Sequence, residues 1–478
     1  MENQNKFDIG AFILNESFQN KEPFKKNPNL FLTQKGNEGI KQEILKLIHG
    51  STKSLKICSF IINDGEIFEA LLTKAQEYRT AIFILTQLDE RKIINTSSEN
   101  WEDDDTDITP DSIKTHLSYI KKLYDVGIHV GAAATTHAKF IIADSRTAFL
   151  TSANLTPPSL NENTESGIYL EEADIPQLEQ LFDVIYQRGT AYRHYLDAGS
   201  KTIVVQSIVN MSLKLLPDST HSRLRFTYEK LSNSLYEEMV SLVNRAQTFL
   251  YISTFSIVGV DKLHELKDAI INAVTRGVKV EVFSRGMNYR EDHLEGCRWF
   301  AEAGSSLHGD FLNHSKGIVS ELDGLIFTAN IDGNHGLING FEVGYLLTEQ
   351  QRNLFLQFHR YLISDNVYKF KLSPLKMELF KTYKEYEERK QIFLGDFPDD
   401  VVISGDSSVL EKKQDFIDYP VFFAEKNLSN FLIANGQMYP CTYIDGNFTL
   451  SAPQKVEQNL HRCIVKYKNL TLNLTDGN

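Results

Sequence analysis

Two hydrophobic periods alternate along most of this chain. Ile40, Ile44, Leu47 and Ile48 recur at spacings of one to four residues that put them on one side of a helix, and Asn37 stands where an N-cap is expected. The run LKICSFII over 55–62 predicts a strand, 67–78 a helix, AIFILTQL over 81–88 a second strand, and 112–124 a helix ended by Gly127. Cys58 falls inside the first strand and is expected in the core. Strands alternating with helices define the α/β class with a parallel or mixed sheet, and in such sheets sites form in the loops beyond the strand ends.

The same order of elements then returns. Leu235, Met239, Leu242 and Val243 reproduce the first helical stripe 195 positions later (40 to 235, 44 to 239), and Phe255 in FLYISTFSI answers Phe60 at that offset. A helix over 263–275 and a strand VKVEVF over 278–283 follow. This reads as an internal duplication, with one unit over 36–200, a connector over 201–224 that carries no motif, and a second unit over 225–372. Residues 1–35 form an irregular lead-in with one short strand. After 373 the texture changes. A charged helix starting near Pro374 gives way to short apolar runs broken by Gly, Asn and Pro, which predict a small β-rich C-terminal domain within 373–478.

Composition changes this picture little. With 478 residues, 42% apolar and 24% charged, the chain is long enough for two or three globular domains. No run of about eighteen apolar residues occurs, the first residues lack the basic start of a secretory signal, and integral membrane association is not expected. The four cysteines show neither CxxC nor His/Cys metal spacing, so reduced thiols and a cytoplasmic location are expected. The formal net charge of −13 argues against a broad electropositive face for polyanions, though not against a local basic cleft. The first unit carries extra residues in an acidic loop over 97–108. It reads either as a solvated loop or as a gate beside the cleft, with Trp101 as a stacking or packing group.

Two stretches carry the chemistry. HAKFIIADSRTAFLTSANLTPPSLNENTESG over 137–167 places His137 and Lys139 on one face of a strand, followed by Asn154 and Glu165. HSKGIVSELDGLIFTANIDGNHGLINGFEVG over 314–344 repeats the set as His314, Lys316, Asn330 and Glu342. A lone HxK on a strand is usually surface, whereas two copies in a duplicated chain point to one composite site for a phosphodiester. Two lysines and two asparagines can surround the non-bridging oxygens. One neutral imidazole can attack phosphorus while the other, protonated, serves the leaving oxygen. Glu165 and Glu342 lie in matching E-x-G contexts and are expected to orient an imidazole. Asp144 and Glu321, five residues past each lysine, point away from it and read as supports. No carboxylate cluster for Mg²⁺ is apparent, so neither a metal nor another cofactor is expected. Arg285 and Arg290, after VKVEVF, are candidates for a flanking phosphate or else solvated loop charges, and His335 reads as a loop histidine.

HxK, four residues, an acid and a later asparagine resemble the HKD motif of the phospholipase D superfamily. His137, Lys139, Asp144 and Asn154 match, with TSAN, which includes Ser152, in place of the more usual GSxN. In the second copy Glu321 replaces the aspartate, the turn is one residue shorter, and Ala329 is read in place of the serine before Asn330, which would remove a hydroxyl. The resemblance implies two pseudo-twofold-related phospholipase D-like units, each a mixed sheet flanked by helices. It also implies His137 as nucleophile, forming a phosphohistidine, and His314 as general acid, an order that could be reversed. The expected function is that of a metal-independent nuclease cleaving nucleic acid, DNA or RNA. It would serve as an effector of a bacterial restriction or anti-phage system, with a partner such as an ATPase or helicase on the C-terminal domain. The alternatives are a phospholipase or phosphatidyltransferase at a membrane surface, and a weakly active binding scaffold. Both half-sites lie in one chain, so no dimer is required.

Overall fold

The computed structural model describes residues 10–87, 110–189 and 215–382 apart from gaps of one to three positions, then the backbone of strands at 192–194, 203–205 and seven more between 400 and 475. The acidic loop over 97–108, Trp101, and most of the charged helix expected after Pro374 lie outside the described residues. Asn15–Gly286 with Trp299–Lys369 form one compact unit, and Met1–Leu14, Met287–Arg298 and Phe370–Asn478 form another.

In the larger unit two mixed sheets repeat one strand order. The first runs His129–Ala132, Ala81–Thr86, Ser54–Cys58, Phe140–Ala143, Thr147–Thr151, Glu165–Tyr169, Phe31–Gln34 and Asn37–Glu38. The second runs Ser306–Asp310, Lys279–Arg285, Phe249–Ser253, Gly317–Ser320, Gly324–Phe327, Phe341–Leu346, Leu224–Tyr228 and Ser232–Asn233. In each sheet the first three strands are parallel to one another, and the fourth begins an antiparallel series. The short strand expected in the lead-in is Phe31–Gln34, and it belongs to the first sheet, with Thr33 opposite Glu165. The strand Leu224–Tyr228 does the same in the second, with Thr227 opposite Glu342.

The helical stripes fall where their spacing predicts. Gly39–Gly50 is a helix that buries Ile40, Ile44, Leu47 and Ile48; its N-cap is Glu38 rather than Asn37, because Asn37 pairs in the short strand before it, from where its side chain accepts the Gly39 N–H at 3.1 Å. Ser234–Arg245 buries Leu235, Met239, Leu242 and Val243. Each such side chain contributes roughly 2 kcal/mol on leaving water. One apolar cluster joins strands of both sheets, including Ala138, Phe140, Phe341, Val343 and Tyr345. The interior between the two copies is therefore a shared core.

In the smaller unit Phe12 stacks on His293 at 5.8 Å and meets Phe370 edge-on at 5.3 Å. Beyond residue 400 the seven strands form one sheet in which Asp400–Asp406 runs parallel to both Asn447–Leu450 and Asn469–Thr475. Among the described residues no helix is long and apolar enough to cross a membrane.

Candidate active site

Backbone pairing brings the two motifs together in a crossed manner. The N–H groups of His137 and Ala138 donate to the Phe341 carbonyl at 3.1 and 2.8 Å, and the His314 N–H donates to the Thr164 carbonyl at 2.9 Å. Each HxK segment is thus bonded to the residue that precedes the other copy's E-x-G. The side chains follow. Nδ1 of His137 lies 2.6 Å from Oε1 of Glu342, and Nδ1 of His314 lies 2.6 Å from Oε1 of Glu165. Each carboxylate orients the imidazole of the other half. With Nδ1–H given to a carboxylate, Nε2 of each neutral ring keeps its lone pair for chemistry.

Both carboxylates are buried, and an uncompensated charge there would be strongly unfavourable. Their second oxygens are satisfied by hydroxyls. Ser152 Oγ donates to Glu165 Oε2 at 2.5 Å, and Thr328 Oγ1 donates to Glu342 Oε2. This corrects the reading of the second motif. Thr328, not Ala329, is the counterpart of Ser152, and an alanine precedes the asparagine in both copies (Ala153 and Ala329). The missing residue falls in the hairpin before Thr328, so the hydroxyl is kept.

The lysines are also buried, with Lys139 Nζ donating to the His137 carbonyl at 2.6 Å and Lys316 Nζ to that of His314 at 3.0 Å. Asn154 and Asn330 are buried as well. The backbone N–H that follows each asparagine is gripped by the residue just past the end of a strand of its own sheet, Ser54–Cys58 or Phe249–Ser253. Leu155 donates to Ser59 Oγ at 3.4 Å, and Ile331 to Thr254 Oγ1 at 3.1 Å. The paired phenylalanines seen at constant offset acquire a role here. Phe60 meets the His137 ring at 5.9 Å and Phe255 the His314 ring at 5.2 Å, both edge-on. The glycine of E-x-G is a packing requirement, since a Cβ at Gly167 would lie 2.5 Å from Phe149 Cζ, and one at Gly344 would lie 2.5 Å from Leu235 Cδ1.

The supporting acids sit at the far hairpin ends. Asp144 accepts from the N–H groups of Thr52, Lys53 and Ser54, and Glu321 from those of Gln247, Thr248 and Phe249. Burial raises the Asp144 pKa, but the donors of Ser54, Lys53 and Thr52 outweigh it and hold the carboxyl at about 2. Glu321 is likewise held below its ordinary range, burial being outweighed by backbone donors including Gln247 and Phe249 and by the Thr248 hydroxyl. The longer side chain thus makes the same tie as the aspartate. Burial pushes the Cys58 thiol well above its ordinary value, and Lys139 works against that shift.

The halves are not equal. The His137 side chain is 22% exposed and that of His314 1%. The Ser166 and Ser315 hydroxyls meet at 2.8 Å, where the mirrored positions are Ala138 and Val343. Arg285 is buried against Phe255 and Asn163. Arg290 lies in the smaller unit, where its Nε is 2.9 Å from Asp292 Oδ1. The His335 carbonyl accepts the Asn339 and Gly340 N–H groups, both at 2.7 Å, around the short helix Gly336–Asn339. Among the described residues no group of three or more His, Cys, Asp or Glu gathers as candidate metal ligands.

A family model described as "Cardiolipin synthase, PLD-like domain" matches residues 44–186. Phosphatidylserine synthase of Haemophilus influenzae Rd KW20 has a similar fold, with a TM-score of 0.52 at 12% identity over 76% of this chain and 94% of that one. Polyphosphate kinase from Porphyromonas gingivalis gives 0.43 at 12% identity over 69% of this chain and 49% of that one. Nuc from Salmonella typhimurium, a phospholipase D family member, gives 0.26 at 17% identity over 30% of this chain and 93% of that one. No curated protein matches the chain. The chain thus carries a PLD-like domain over residues 44–186, the stretch that holds the first HxK motif. Its composite site supplies the groups that phosphodiester chemistry needs.

Proposed function

We propose that this protein is a nuclease that hydrolyses a nucleic-acid phosphodiester through a phosphohistidine on His137. The crossed His–Glu pairs carry the reading, because they leave two oriented Nε2 atoms, one to attack and one to move protons. Nε2 of His137 attacks phosphorus and forms the P–N bond as the P–O bond to the leaving group breaks. Protonated His314 gives its Nε2 proton to the departing oxygen. Water then attacks phosphorus, His314 Nε2 takes its proton, and the P–N bond breaks to regenerate His137. Lys139, Lys316, Asn154 and Asn330 offset charge on the non-bridging oxygens. The greater exposure of His137 supports its assignment as the group that receives phosphorus.

Nucleic acid is favoured over lipid by the described surface of the larger unit. Its exposed large apolar side chains are Leu215, Ile271 and Leu322, with no aromatic among them, whereas enzymes that work at bilayers rely on apolar faces rich in Trp, Phe and Leu. The likeness in fold to a phosphatidylserine synthase supports the second reading, phosphatidyl transfer. A panel of single- and double-stranded DNA and RNA incubated in EDTA, with acid-quenched trapping of phosphohistidine, separates the two. Cleavage abolished by His137→Ala is the expected result. Release or exchange of headgroups from phospholipid vesicles, with no cleavage of any nucleic acid, would establish the second reading instead.

A further inference from the structure

The two histidines differ in what stands behind them. Arg285 ends the strand Lys279–Arg285, and its guanidinium carbon lies 4.8 Å from the centroid of the Phe255 ring, which meets His314 edge-on at 5.2 Å. One of its amino groups donates to Asn163 Oδ1 at 3.1 Å. Asn163 precedes Thr164, whose carbonyl accepts the His314 N–H, and Glu165, whose carboxylate takes His314 Nδ1. One planar cation therefore holds the ring that packs on His314 and also the segment that supplies its carboxylate. Arginine suits this work, since its fork directs hydrogen bonds while its face stacks on an aromatic ring.

The first half lacks this arrangement. Its matching position is Gln87, whose N–H donates to the Phe60 carbonyl at 3.3 Å just as that of Arg285 donates to Phe255 at 3.1 Å. Gln87 is neutral, so the charge that Arg285 brings to the Phe255 ring has no counterpart at this position of the first half. We propose that Arg285 is a positioning residue that locks His314 for proton transfer and so makes two chemically identical histidines unequal. His137, whose ring is the more exposed, is left to take up phosphorus. The division of labour rests on the phosphohistidine reading above; the Arg285 contact that enforces it does not.

The test uses the full chain with R285Q, and with N163A as a second variant that removes the anchor from the opposite side. On a dinucleotide, whose alkoxide needs a proton to leave, kcat should fall about ten- to a hundredfold with KM within about twofold, the scale of a displaced general acid. On thymidine 5′-p-nitrophenyl phosphate, whose leaving group needs no proton, the burst of nitrophenolate should fall less than about threefold. An equal loss on both substrates with a raised KM would mean that Arg285 touches the substrate phosphate, and the inference would be wrong. Histidine ¹⁵N spectra of the same proteins need no turnover. The His314 Nδ1–H bonded to Glu165 should give one sharp, strongly hydrogen-bonded signal in the wild type and a weakened, heterogeneous one in both variants, with the His137 signal unmoved. If the wild type neither cleaves nor traps phosphate, the nuclease reading fails while the spectra still decide the contact. Unchanged His314 signals in both variants overturn the inference.

Discussion

Nδ1 of His137 lies 2.6 Å from Oε1 of Glu342, 205 positions further along the chain, and the same distance separates His314 from Glu165 across 149 positions. Each half owns a histidine, yet the group that sets its tautomer belongs to the other half. An isolated half would have an imidazole without its orienting acid and a buried carboxylate without its partner, and breaking a buried pair in this way costs about 3 to 5 kcal/mol. Docking of the halves and assembly of the site are one event.

Crossing makes the two glutamates distinguishable. E342Q disorients the proposed nucleophile, and E165Q the proposed proton donor. Each should lower kcat on nucleic acid by about a hundred- to ten-thousandfold. With a p-nitrophenyl diester, whose leaving group needs no acid, E165Q should accumulate phosphohistidine because its hydrolysis is slowed, while E342Q should scarcely form it. Accumulation in E342Q but not in E165Q would reverse the assignment, and equal amounts in the two would refute the division.

The hydroxyls behind the glutamates should matter equally in the two halves. S152A and T328V each leave one oxygen of a buried carboxylate without its donor, a loss of about 1 to 3 kcal/mol in stability, with a fall in kcat. T328S should restore both. A329S, which adds a serine directly before Asn330, should bring no gain, because Ala329 is fully buried and Glu342 already has its hydroxyl. Thermal melts and turnover of the four variants check this, and a gain from A329S would count against the pairing.

The stripes Ile40 to Ile48 and Leu235 to Val243 were legible because a helix imposes its period on the sequence. The strand motifs were legible because they occur twice at nearly constant offset. The histidines, lysines and glutamates that the crossed pairing brings together stand in the two motifs read on that basis. What could not be read was the crossing, since docking of two distant segments leaves no period in either. The pairing of Ser152 with Thr328 was missed for a smaller reason. A one-residue deletion in a hairpin moves every later position out of step between the two copies, whereas the carboxylate shows which hydroxyl serves it. Arg285 reads from the sequence as a contact to a flanking phosphate or a solvated loop charge because VKVEVF ends just before it, yet the strand continues through Arg285, which is buried.

The E-x-G glycines should differ in tolerance. At Gly167 a new Cβ meets the Phe149 ring at 2.5 Å and the Leu150 carbonyl at 3.2 Å. Phe149 is itself held by Phe31 at 5.7 Å and Tyr169 at 5.0 Å, so it has little room to move. At Gly344 the closest obstacle is Leu235 Cδ1, the end of a flexible side chain. G167A should therefore lose about 2 to 3 kcal/mol, the upper part of the overpacking range, and G344A distinctly less. Denaturant unfolding of the two variants decides the order.

His359 gives the larger unit a built-in sensitivity to acid. It is fully buried on the helix Glu349–Ser364, its Nδ1 is 2.9 Å from the Phe355 carbonyl, and the Phe355 ring meets it edge-on at 4.4 Å. Burial outweighs the carbonyl bond and lowers its pKa from 6.5 to about 4. Between those values the unfolded chain takes up a proton at this residue that the folded chain refuses, so stability falls as the pH drops. The contribution is fully present above pH 6.5, and about 3 kcal/mol of it is lost by pH 4. His359→Phe keeps a ring and removes the titration. Unfolding free energies measured from pH 7 to pH 4 should decline less steeply in this variant than in the wild type. Parallel curves would mean that His359 is protonated without penalty and that its burial is not what the fold resists.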